Sequence, residues 1–62
     1  MSEESKEKLQ KIKKLYEMME DGCKKVLKEP ELKGDKELIK KVEKVQKEAQ
    51  EVVKHIEEKT EP

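Results

Sequence analysis

Cys23, His55 and Tyr16 are the side chains of this 62-residue sequence whose types could do chemistry. A cysteine beside a histidine is the pairing that yields a nucleophilic thiolate, the imidazole taking the proton. That chemistry needs the two groups within hydrogen-bond reach, and here they lie in different halves of the chain. Lys24 follows Cys23 directly but points around a helix toward solvent, so nothing local lowers the thiol's proton affinity. One cysteine cannot close an intrachain disulfide, and one cysteine with one histidine cannot complete a four-ligand zinc site. His55 stands four residues after Glu51, the spacing of a surface contact along a helix. Tyr16 reads as a packing residue whose hydroxyl reaches the edge of a core. No catalytic residue, metal site or cofactor is therefore expected, and an enzyme would have to recruit Cys23 and His55 across an interface between chains.

The elements that position these residues are two helices. Leu38, Val42, Val45, Ala49, Val52 and Ile56 step alternately by four and three, an uninterrupted heptad seam. Ile39, Gln46 and Val53 flank it, which widens the face beyond that of a two-stranded coil and suits a bundle. In the first half of the chain Leu9, Ile12, Tyr16, Met19, Cys23 and Val26 repeat the seam, with Leu15, Met18 and Gly22 flanking and Leu27 at its end. Gln46, polar at a flanking position, could set the register between subunits. Met18 and Met19 fill the irregular space beside Gly22, where the missing side chain would permit close approach of another backbone.

The helix boundaries follow from capping chemistry. Ser2 is the expected first cap, with Glu3 and Glu4 at the positive end of the helix dipole and Lys24, Lys25 and Lys28 at the negative end. Pro30 holds Glu29 away from helical angles and can open a single turn, Gly34 can take positive φ, and Asp35 caps the second helix. The sequence thus predicts one domain: a helix over about 3–28, a link at 29–35, a helix over about 36–59 and a frayed tail at 60–62. Leu32, alone in the polar link, is expected to cover the end of the bundle. Glu-before-Lys pairs at four-residue spacing, Glu4–Lys8, Glu7–Lys11, Glu20–Lys24, Glu37–Lys41 and Glu43–Lys47, support both helices. In a hairpin turning near residue 32, Cys23 would lie opposite about residue 41 and His55 opposite about residue 9, separated by roughly 21 Å of helix rise.

Composition narrows the function classes. Charged residues make up 52% of the chain yet sum to zero, and the apolar 31% keeps helical register, so a folded helical surface is expected instead of disorder. All 16 basic residues are Lys, which lacks the flat fork that reads guanine edges or phosphates, so nucleic acid is not an expected partner. No apolar run could span a bilayer and no signal peptide is apparent, so a soluble, cytoplasmic protein is expected.

The regular seams, the Ser2 and Asp35 caps, Gly34 before the second cap and the Glu/Lys surface resemble computationally designed helical hairpins and bundles. The resemblance covers nearly the whole chain and is one of style. Met18-Met19, interior Gly22, unpaired Cys23 and zero net charge depart from ordinary design practice. What it implies is a protein whose purpose is assembly or scaffolding, with no natural substrate. The fold expectation is all-α: an antiparallel two-helix hairpin that self-associates, as a four-helix bundle if dimeric. Both seams and their flanking rows would then be buried between chains. A binding module presenting the same wide face to a partner helix, with Leu15, Met18 and Met19 as anchors, is the alternative.

Overall fold

A computed structural model describes residues 1–60 and gives a two-helix hairpin, with no strand among them. Helix α1 spans Glu3–Lys28 and helix α2 spans Lys36–Thr60, and a single 3-10 turn, Pro30–Leu32, lies between them. The first helix starts where Ser2, extended at ψ 159°, accepts a hydrogen bond from the Ser5 backbone N–H at 3.2 Å. It stops at Glu29, whose ψ of 117° is the extended conformation that the following Pro30 imposes. The second helix starts on Asp35: its carboxylate accepts from the Leu38 N–H at 3.1 Å, and its carbonyl accepts from the Ile39 N–H at 3.0 Å.

Three details differ from the sequence expectation. Gly34 does not take positive φ, and no described residue does, because the 3-10 turn closes the link through ordinary backbone bonds from Leu32 to Glu29 and from Asp35 to Leu32. Helix α2 extends one residue further, to Thr60, whose hydroxyl donates to the Ile56 carbonyl at 2.9 Å and accepts from the Gln10 amide of α1, while the rest of the expected tail, 61–62, lies outside the described residues. Helix α1 runs without interruption through Gly22, and a Cβ added there would meet nothing within 4 Å, so no backbone approaches it closely within the chain. Of the five expected Glu–Lys pairs, Glu4–Lys8 and Glu37–Lys41 close, at 3.5 and 3.4 Å.

The hairpin is a rod of 47 × 14 × 13 Å with a radius of gyration of 14.4 Å. A globular chain of this length would have a radius near about 10.6 Å. Two helices side by side have no inside, and the consequence is visible in the burial: among the described residues only Ala49 and Ile56 are buried, at 1% and 5% exposure. The accessible surface is 5250 Å², whereas a folded monomer of 7.3 kDa ordinarily exposes about 4,200 Å².

Candidate assembly face

The contact between the helices follows a row on each that differs from the seam. On α1 the half-buried residues are Lys6, Leu9, Lys13, Tyr16, Glu20, Cys23 and Leu27, together with Val26. On α2 the matching row is Ile39, Val42, Gln46, Ala49, Val53, Ile56 and Thr60, with Leu38, Val52 and Glu57 beside it. Both rows step by three and four, as packed helices require, but three of the α1 positions carry charge. One of those charges, on Lys13, is paired across the helices. The Lys13 ammonium, its side chain 17% exposed, reaches the Glu57 carboxylate at 3.4 Å, and the Gln10 amide donates to the Thr60 hydroxyl at 3.3 Å. These two contacts tie the end of α2 to the first half of α1, and the seam pattern alone did not point to either. The signal was there in the spacing of Lys6, Lys13 and Glu20, which the apolar pattern passes over.

The predicted seams are consequently divided. Leu9, Tyr16, Cys23 and Val26 of α1, and Leu38, Val42, Ala49, Val52 and Ile56 of α2, are at least half-buried in the hairpin. Ile12, Met19 and Val45 are exposed, Val45 to 39%, although Val45 lies at the middle of its seam. The flanking rows divide by helix: Ile39, Gln46 and Val53 turn toward α1, whereas Leu15 and Met18 stand 60% and 62% exposed beside exposed Gly22.

Helix geometry explains the division. At about 100° per residue, the α1 seam is centred about 60° away from the row facing α2, and the α2 seam about 50° away from the row facing α1. Both offsets run in the same rotational sense along the chain, and because the helices are antiparallel they point to the same side of the hairpin. That side carries Ile12, Leu15, Met19 and Val45; the other carries Gln10, Glu17 and Lys24 of α1 with Glu43, Gln50 and Lys54 of α2. These exposed apolar side chains, from both helices, gather on one side of the rod, with Lys8, Lys41 and Glu48 at its margins, and the other side is charged.

The residues that could do chemistry are not brought together. Cys23 is half-buried toward the loop end of α1, while His55 is exposed near the other end, beside the shallow concavity that it lines with Glu48, Glu51, Val52 and Ile56. The Lys13–Glu57 and Gln10–Thr60 contacts set α2 further along α1 than a turn at residue 32 would, level with residue 15 for His55. Eight residues of rise, on the order of 12 Å, then separate it from Cys23 in place of the expected 21 Å, still beyond any shared proton. No group of three or more His, Cys, Asp or Glu residues that could hold a metal ion occurs among the described residues. No helix there is long and apolar enough to cross a membrane. Comparison with protein-family models, curated proteins and solved structures finds no match.

Proposed function

We propose that this chain is a structural self-assembly module, and that two copies bury their apolar faces against each other as a four-helix bundle. The observation that carries the reading is the apolar half-seam, Ile12, Met19 and Val45 with Leu15, left in solvent on one side of both helices. The direction of the seams supports the number of helices. In a square bundle the centre lies about 45° from the line joining two neighbouring helices, close to the 50–60° offsets of the seams. The surface supports the same reading, because about 1,000 Å² more is exposed than a globular chain of this mass would leave. A stable interface covers about 800 Å² on each partner. Catalysis is no part of the reading, and the designed style of the sequence accords with assembly as its purpose.

Val45→Lys tests it. A lysine at the centre of the proposed interface would bury an unpaired charge, so the variant is expected to sediment as a single chain, with reduced helicity and a lower melting temperature. A Val45→Lys protein that matched the parent in mass and melting temperature would show that this face is solvent-facing in the working state.

A further inference from the structure

We infer that Met19 is an oxidative modification site whose sulfoxide holds the chain in its single form, while the adjacent Met18 oxidises without that effect; the inference rests on the self-assembly reading above and adds its regulation. The two methionines are consecutive on α1, so their side chains leave the helix about 100° apart. Met18 lies nearly opposite the row that faces α2 and is 62% exposed, so in a square bundle it stays in solvent on the outside. Met19 lies about 90° from that row, on the side of Ile12 and Val45, the direction in which a square bundle places a helix of the second copy. In the single hairpin it is 43% exposed. Two thioethers of the same chemistry on the same helix are thus sorted by assembly, one covered and one not.

The oxidant is a peroxide. A sulfur lone pair attacks one oxygen of hydrogen peroxide, and the S–O bond forms as the O–O bond breaks. The departing hydroxide takes the proton from the transferred oxygen and leaves as water, so sulfur is oxidised by two electrons and the peroxide reduced by two. The sulfoxide oxygen is a hydrogen-bond acceptor. Ile12, Leu15 and Val45, the exposed side chains that share its side of the hairpin, carry no donor for it. An interface closed over Met19 sulfoxide would bury an unpartnered polar group, which disfavours the dimer. Peroxide reaches Met19 only in the dissociated chain, so its oxidation follows the dissociated fraction and each oxidised chain is withdrawn from the assembly. Met18 is open to the same reagent in either state.

Hydrogen peroxide treatment of two variants tests it: Met18→Leu and Met19→Leu, both volume-conserving, each in a Cys23→Ala background that removes the half-buried thiol. Each variant leaves one methionine within the helix, whose oxidation is followed by peptide mass spectrometry at several chain concentrations. Sedimentation is measured before and after oxidation, and on the unmodified chain. In concentrated protein Met19 is expected to oxidise at least about tenfold more slowly than Met18, the difference vanishing on dilution below the dissociation constant. Met19 sulfoxide is expected to weaken association at least about tenfold, whereas the protein carrying Met18 sulfoxide keeps its dimer mass. Equal oxidation rates in concentrated dimer, a Met19 sulfoxide that associates as before, or equal dissociation by Met18 sulfoxide would each overturn the inference and leave assembly standing. A single-chain mass for the unmodified chain would overturn the inference together with the reading beneath it.

Discussion

Gly22 sits in the middle of α1, exposed, with open space where a Cβ would go. A helix-interior glycine costs up to about 1 kcal/mol relative to alanine, chiefly through backbone freedom in the unfolded chain. Gly22→Ala is therefore expected to stabilise the protein by up to about 1 kcal/mol in chemical denaturation without changing its oligomeric mass. Destabilisation would reveal a contact at Gly22 tighter than the single chain contains. The local chemistry of other single residues was legible from the sequence: Ser2 and Asp35 cap as their side chains predict, and Pro30 ends α1 by restricting Glu29. Such effects depend on neighbours within four positions, which the sequence displays. The conformation of Gly34 was not legible, because glycine permits positive φ without requiring it and the 3-10 turn made it unnecessary.

At the scale of the elements, two helices of nearly equal length joined by a short link follow from periodicity and capping, and both are present. Which row of α1 faces α2 did not follow. An apolar seam states the direction of greatest burial in the complete assembly, and when a helix has two neighbours that direction points between them. In the proposed bundle the row facing either neighbour would be mixed, in keeping with Lys13 and Glu20 lying half-buried while Ile12 and Met19 do not. The Lys13–Glu57 pair links the end of α2 to the first half of α1 at 3.4 Å, with Glu57 43% exposed. Solvent screening keeps such a pair weak, so a double-mutant cycle of Lys13→Ala and Glu57→Ala should give a coupling below about 1 kcal/mol, smaller still in high salt. A coupling of several kcal/mol would mean that the pair is more deeply enclosed, as a further layer of helices over it would bring about.

At the scale of the whole molecule, the rod cannot hide its apolar residues from water by itself. Among the described residues Ala49 and Ile56 alone are buried, and Ile12, Leu15, Met19 and Val45 stand exposed on one side of the hairpin. Covering about 800 Å² of such a face on each copy is what a stable interface ordinarily requires, and association of that kind ties folding stability to concentration. The proposed sensitivity to Met19 oxidation, the proposed interface and the effect expected of Val45→Lys all rest on this association. Sedimentation equilibrium over a wide range of chain concentration tests it most directly. The expected result is a mass twice the 7.3 kDa of the chain that falls toward the single-chain value only on dilution, with helicity falling alongside. A mass of one chain at every concentration, with a cooperative melt that does not move, would contradict it.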